Sequence, residues 1–126
     1  MGAITISICF RRFEFSPDLI DDLVGVAPDV AQSSGDLTPG GRVSRYSYWS
    51  KELFHGDVSI IEDAWISAMA ILRNLNADGI RTVSRGAESY LLIQTSSSVV
   101  ESGFYFDAED LRFISDISLD ISIDCS

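Results

Sequence analysis

The sequence predicts a single α+β domain over residues 1–126, a two-layer sandwich in which a mixed or antiparallel sheet carries its helices on one face. Three observations lead to this fold class. Alternating apolar and polar residues begin and end the chain, as in half-buried strands. Segments with helical caps and helical spacing lie between further strand-like runs. The elements follow the order β-α-β-α-β-β-α-β, which is ferredoxin-like in character.

The first strand and the first helix follow from residues 4–25. "ITISICF" alternates, with its isoleucines on one side and its polar side chains on the other, which is the pattern of a strand. "FSPDLIDDLVG" then predicts a helix, because Ser16 is a favourable N-cap, Pro17 suits the first helical position and Gly25 can end the helix. The apolar stripe that we expect this helix to bury consists of Leu19, Ile20, Leu23 and Val24.

A long loop and a second strand are predicted next. Residues 26–42 contain two prolines and three glycines with almost no apolar periodicity, which is typical of a loop. The β-branched and aromatic residues of "VSRYSYWS", residues 43–50, predict a strand. We expect Trp49 of this strand to pack in the core under the following helix. The run "FHGD" is expected to break the strand before that helix begins.

The longest predicted helix spans residues 59–76, where apolar residues recur at helical spacing. Ser59 and Glu62 have the spacing of a capping box, which predicts where this helix begins. Asp78 and Gly79 are residue types that favour a turn, so they predict that the helix has ended before them.

The last third of the chain predicts four more elements. "RTVSRGAESYLLIQT", residues 81–95, predicts a strand, and "SGFYFD", residues 102–107, predicts a second one joined to it as a hairpin. Asp107 is expected to cap a short helix in "AEDLRFIS", and the strict alternation of "SLDISIDC" predicts the final strand. By strand parity Cys9 and Cys125 point to opposite faces of the sheet, so we expect no disulfide between them.

The chain carries a formal net charge of −10, from 19 acidic and 9 basic side chains. Such a surface repels phosphate backbones and anionic membranes, so we expect neither nucleic acid nor a membrane as a partner. It favours a basic protein partner, because complementary charge steers association. No apolar run reaches the roughly 18 residues that a membrane-spanning helix needs, and no signal-peptide pattern is present. We therefore predict a cytoplasmic protein.

The residue types that most often carry catalysis are scarce and dispersed. The single histidine, His55, precedes Gly56 and Asp57, as a turn residue would. The nucleophile and the orienting carboxylate that a triad needs cannot be identified from the sequence. Asp120 and Asp124 share a strand face but stand about 13 Å apart, too far for these two carboxylates alone to bind one metal ion. We therefore predict no catalytic residue, no metal, no cofactor and no enzymatic activity.

Strand parity predicts a protein-contact surface on the sheet face away from the helices. Tyrosines, a leucine and acidic residues share this face, a mixture more typical of a protein-contact surface than of a catalytic cleft. The predicted partner-binding residues are Tyr90, Leu92, Tyr105, Asp120 and Asp124. The alternative is a small-anion, ligand-binding or enzymatic site in the loop region of residues 35–55. Its candidate residues are Arg42, Arg45 and His55.

The chain resembles a bacterial family known only as domain of unknown function 4279. The markers are the alternating first strand, "FSPDLIDDLVGVAP", "YWS" before a long amphipathic helix, and the closing "FYFDAEDLRFISDISLDISID". In that family a Gly-x-x-Pro turn follows the first helix, here Gly25 to Pro28, and a tryptophan ends the second strand, here Trp49. The family's histidine in the long helix is missing here. The resemblance covers nearly the whole chain and implies a fold and a bacterial source, but no activity or catalytic residue.

Two functional hypotheses follow from these observations. The favoured one is a small acidic interaction domain that binds a basic protein, as an antitoxin or toxin-immunity protein does when it blocks a basic toxin surface. The alternative is the ligand-binding or enzymatic domain. Charge reversal at Asp120 and Asp124 abolishes partner binding under the first hypothesis, whereas His55→Ala abolishes ligand binding under the second. A homodimer through the open sheet face is compatible with both.

Overall fold

The computed structural model describes residues 2–36, 40–43, 46–58, 60–96 and 105–125. In chain order the elements are β1 (Gly2–Arg11), α1 (Pro17–Val24), β2 (Val30–Gln32), β3 (Tyr48–Val58), α2 (Ile61–Leu72), α3 (Ala77–Ser84), β4 (Glu88–Thr95), α4 (Ala108–Asp116) and β5 (Asp120–Cys125). The α+β class with a mixed sheet is confirmed. The observed order of elements, β-α-β-β-α-α-β-α-β in the described residues, differs from the predicted order.

The sheet has five strands in the order β2-β3-β1-β4-β5. β1 lies in the middle and pairs antiparallel with both β3 and β4, and β2 pairs antiparallel with β3. β5 joins β4 in parallel, which requires a crossover connection, and α4 lies in that connection. The central position of β1 accounts for the complete burial of Ile6, Ile8, Cys9 and Phe10, because neighbouring strands flank them on both sides.

The first helix begins and ends where the sequence predicts. Ser16 accepts an N–H of the first turn, a proline occupies the first turn, and Gly25 adopts a left-handed conformation with φ of 87° after the last turn. Ile20 and Val24 are fully buried, as expected. Leu19 is 44% exposed, so its assignment to the buried stripe was wrong. The buried face of α1 is therefore narrower than the apolar pattern suggests.

The second and third strands differ from the prediction in extent. The predicted loop of residues 26–42 contains β2, which adds three residues to the edge of the sheet. β3 begins at Tyr48 and runs through the predicted break at "FHGD" to Val58. The turn-forming residues stay extended because β1 supplies backbone partners along the whole of β3, with pairs from Arg11–Tyr48 to Gly2–Val58.

A β-bulge interrupts the pairing of β3 with β1. Ile6 lies opposite Phe54 and Ser7 lies opposite Glu52, so Leu53 is an extra residue in β3. Leu53 is buried and Phe54 packs against the core. Beyond the bulge the alternation of side chains shifts by one residue, and His55 lies on the face away from the core.

The predicted long helix is two helices. α2 begins after Ile60, which occupies the N-cap position without a side-chain cap, and the predicted capping residue Ser59 lies outside the described residues. α2 ends at Leu72, and α3 begins only five residues later. The Asp-Gly pair predicted to follow the helix lies in the first turn of α3, where Asn76 accepts the N–H of Gly79 at 3.1 Å. The predicted helix therefore ends before Asp78 and Gly79, but these two residues do not form a turn, because Asn76 supplies the N-cap of a second helix.

α3 packs closely on α1 through a glycine. A Cβ atom placed on Gly79 would lie 1.6 Å from the backbone oxygen of Leu23, so no larger residue fits without moving a helix. The backbone N–H of Asn76 also donates to the carbonyl oxygen of Val24 at 3.1 Å. The end of α1 and the start of α3 are therefore held together backbone to backbone.

The last third of the chain contains the predicted helix and final strand. Only residues 88–95 of the predicted strand over residues 81–95 are extended, since the preceding part forms α3. The predicted hairpin strand over residues 102–107 lies partly outside the described residues, and residues 105–107 do not form a strand. Asp107 caps α4 by accepting the N–H of Glu109 at 2.7 Å, as predicted.

Each tryptophan links two elements through a hydrogen bond to an aspartate. Trp49 is fully buried, as predicted, and its indole N–H donates to a carboxylate oxygen of Asp21 in α1 at 2.7 Å. Trp65 of α2 is also buried, and its indole N–H donates to Asp110 of α4 at 2.9 Å. The buried indole rings thus supply apolar contact area, and their N–H groups fix α1 on β3 and α4 on α2.

Candidate functional site

The open sheet face is the side of the sheet away from the helices, and strand register defines its members. They include Thr5, Ser7, Cys9 and Arg11 of β1, Tyr48, Ser50, Glu52 and His55 of β3, Glu88, Tyr90, Leu92 and Gln94 of β4, and Asp120, Ser122 and Asp124 of β5. The small side chains lie at the centre of this face, where Ser7 and Cys9 are buried, and the larger side chains lie around them.

Four of the five predicted partner-binding residues lie together on the open sheet face. Tyr90 pairs with Asp120, and Leu92 and Asp124 lie further along the same two strands. All four line a shallow depression along β4 and β5. The other described residues that line this depression are Arg11, Ser84, Ala87, Glu88, Ser89, Ser118, Ser122 and Ile123. The sequence therefore located a real cluster of side chains, and their role in binding stays a prediction.

The fifth predicted residue, Tyr105, lies elsewhere. It was assigned to a hairpin strand beside β4, but it lies in the non-strand segment before α4 and is 70% exposed. The next residue, Phe106, packs its ring against Trp65 with a centroid distance of 4.6 Å. Tyr105 is thus anchored beside the helix layer and does not line the depression between β4 and β5.

Charges are distributed unevenly along the depression. At one end the guanidinium of Arg11 donates to Glu88 at 2.6 Å and lies 5.2 Å from the ring centroid of Tyr90. Glu88 is therefore neutralised by a direct ion pair. On β5, Asp120 and Asp124 are exposed, and no described residue forms a salt bridge with either carboxylate. The β5 side of the depression consequently presents uncompensated negative charge.

A buried thiol lies beneath two tyrosines at the centre of the open sheet face. The Sγ atom of Cys9 is 3.5 Å from the hydroxyl oxygen of Tyr48, and Tyr90 pairs with Cys9 from the other side. Burial raises the pKa of Cys9, an effect larger than the lowering by hydrogen bonds to the two tyrosines and by the charge of Arg11. Burial also raises the pKa of Tyr48 and of Tyr90. All three groups are therefore neutral at physiological pH, and the thiol is a poor nucleophile.

The two thiols should differ strongly in reactivity. Both cysteines are free, as predicted; Cys9 is buried and Cys125 is exposed. In the native protein at pH 8 we expect the thiol of Cys125 to react with an aromatic disulfide reagent roughly 100-fold faster than the thiol of Cys9, because only an accessible thiolate attacks. The Cys125→Ser variant should lose the fast phase, and denaturant should expose the slow thiol. A fast reaction of Cys9 in the folded Cys125→Ser variant would contradict its burial.

The described residues of the alternative ligand site, His55 and Arg42, lie in different segments of the chain. His55 lies within β3 and not in a turn, and its Nδ1 is 2.8 Å from the hydroxyl oxygen of Thr5. Arg42 is exposed in the segment of residues 40–43, and Arg45 lies outside the described residues. Neither His55 nor Arg42 lines the depression between β4 and β5.

The members of this surface that sequence reasoning missed include Arg11, Tyr48 and Glu88. The signal was available, since Arg11 continues the polar side of β1 by parity and Glu88 precedes Tyr90 by two residues. What the sequence could not give was the order of the strands, which places β3 and β4 on either side of β1. That order brings Tyr48 and Tyr90 to the same thiol.

The described residues define a small acidic α+β protein with an open-faced mixed sheet. Within them no helix has the length and apolar character to cross a membrane, and no group of three or more histidine, cysteine, aspartate or glutamate side chains could hold a metal ion.

Comparison with known proteins gives the family. The chain belongs to the family described as Domain of unknown function (DUF4279), whose model matches residues 3–126. No curated protein and no solved structure matches the chain.

Proposed function

We propose that this protein is a non-enzymatic interaction domain that binds a basic protein through its open sheet face. One observation carries the proposal: Asp120 and Asp124 stand exposed and without ion pairs to described residues, beside Tyr90 and Leu92 on the adjacent strand. An aromatic and aliphatic core bordered by a polar rim is typical of a protein-contact surface.

The charge of the whole chain supports the same partner class. A net charge of −10 attracts basic proteins over distances up to the Debye length, about 8 Å at physiological ionic strength, and raises association rates. Two copies of this chain would instead bring together two proteins of the same net charge, which repel each other. A basic heterologous partner is therefore favoured over a homodimer through this surface.

The local chemistry favours binding over catalysis. The thiol of Cys9 is held neutral under two tyrosines. The His55 ring contacts the hydroxyl of Thr5, but no described carboxylate forms a hydrogen bond or an ion pair with that ring. A triad needs a base within hydrogen-bond reach of a nucleophile and an orienting carboxylate on the base. Within the interaction class, a compact acidic domain suits an inhibitor of the toxin-immunity kind, which covers the basic surface of its target.

The proposal is tested by affinity capture with three forms of the full chain. These are the wild type, the face variant Asp120→Lys/Asp124→Lys, and a control variant Asp22→Lys/Asp63→Lys with the same change in net charge. The control residues are exposed on α1 and α2, on the opposite side of the sheet. We expect a basic protein to be retained by the wild type and the control variant at low salt. The face variant should bind it about 100-fold more weakly, because it replaces two attractive charges by two repulsive ones.

Three results would contradict the proposal. The first is equal capture by the face variant and the control variant, which would show a dependence on net charge alone. The second is retention that does not depend on salt, and the third is a captured protein that is itself acidic. Circular dichroism of both double variants checks that each variant is folded before the binding results are compared.

A further inference from the structure

β5 is the last strand of the sheet on the side of β4, and no described residue pairs with its outer edge. Its side chains alternate strictly in character. Asp120, Ser122 and Asp124 lie on the open sheet face, whereas Ile121 and Ile123 lie on the other face, where Ile123 is 45% exposed. An unpaired edge with exposed side chains on both faces can accept another strand.

We propose that β5 receives an extended basic segment of the partner as a sixth strand of the sheet. This inference rests on the proposed function, because the occupant is a segment of the same basic partner. Six residues of β5 span about 20 Å, so the segment has roughly six residues in register. Lysine or arginine four residues apart would face Asp120 and Asp124, and alternate apolar residues would cover Ile123.

The other edge of the sheet is a weaker candidate. β2 has only three residues, Val30–Gln32, and its register offers half the length that β5 offers. Its side chains are a valine, an alanine and a glutamine, so it carries no charge that would select a basic segment. Charge and length together therefore favour β5.

The test uses two synthetic nonapeptides with blocked ends and identical composition, five lysines and four valines. One alternates the two residue types, and the other groups them so that no alternation remains. Each is titrated into the full-length protein, and amide hydrogen exchange is followed by NMR. We expect the alternating peptide to bind at least about tenfold more tightly than the grouped one. Amides of alternate residues in β5 should exchange about tenfold more slowly when it is bound, because their N–H groups gain partners.

The outcomes separate this inference from the proposed function. Binding without slowed exchange in β5, or equal binding of both peptides, would overturn strand addition while leaving an acidic contact surface in place. Failure of both peptides to bind, with a basic protein still captured through Asp120 and Asp124, would overturn it as well. If Asp120→Lys/Asp124→Lys binds the alternating peptide as tightly as the wild type does, the proposed function fails too. Slowed exchange in β1 instead of β5 would indicate a different binding site and overturn the inference.

Discussion

Gly79→Ala is expected to lower the free energy of unfolding by about 3 kcal/mol, because the new methyl group would overlap backbone that cannot move aside. The added Cβ would lie 1.6 Å from the carbonyl oxygen of Leu23, and the nearest atoms are all backbone. Alanine favours a helix over glycine by up to about 1 kcal/mol, so helix propensity alone predicts the opposite sign. The cost of the steric overlap exceeds the gain in helix propensity, because α1 and α3 must separate to relieve the overlap. Urea unfolding of the two proteins measures the difference.

Gly56→Ala is the matched control. Its added Cβ would meet only the tip of the Phe54 ring at 3.4 Å, and glycine within a strand is unfavourable. We expect this variant to be as stable as the wild type or up to about 1 kcal/mol more stable. Equal stability of Gly79→Ala and the wild type would show that α1 and α3 do not pack as closely as described.

Trp49→Ala is expected to cost about 3–5 kcal/mol, the range for removing a buried aromatic side chain. Trp49 is fully buried, and its ring centroid lies 5.5 Å from that of Phe10. The substitution also removes the hydrogen bond to Asp21, which holds α1 on β3. Trp49→Phe keeps much of the ring but not the donor, so it should cost less, about 2 kcal/mol. Chemical denaturation followed by far-UV circular dichroism measures the free energy of unfolding of both variants.

Two comparisons separate the roles of ring and donor. Asp21→Asn keeps an acceptor oxygen for the indole N–H, so it should be less destabilising than Asp21→Leu.

Tyr105→Ala removes an aromatic side chain that is 70% exposed and should change stability by no more than about 0.5 kcal/mol. A Trp49→Ala protein as stable as Tyr105→Ala would refute the position of Trp49 in the core.

The fold was predictable where local signals and tertiary packing agree. At α1 each signal acts on a single turn of the helix. The serine and the proline define its first turn and the glycine ends its last turn, so the prediction of both ends was correct. At Asp78 and Gly79 the local turn signal was misleading. Gly79 is not a helix terminator here but the residue that allows α3 to touch the backbone of Leu23. Such a contact joins residues far apart in sequence, so no local pattern reveals it.

The candidate surface was predictable only as far as strand parity holds. On β4 and β5 the alternation is unbroken, and Tyr90, Leu92 and Asp120 were placed together correctly. On β3 the bulge at Leu53 reverses the parity, so His55 lies on the open sheet face although its spacing from Trp49 predicts the core side. Tyr105 was misplaced because its aromatic neighbours suggested a strand, whereas Phe106 is held by Trp65.

The central position of β1 also bears on how the chain folds during synthesis. β1 leaves the ribosome before the other strands of the sheet, yet its partners on one side are in β4, where Ile4 pairs with Thr95. Until β4 has been made, one edge of an apolar strand stays without its native partner, and pairing that depends on distant segments is slow. A nascent chain stopped before residue 88 should therefore need chaperones to protect β1, whereas synthesis of β4 allows the sheet to form on both sides of β1.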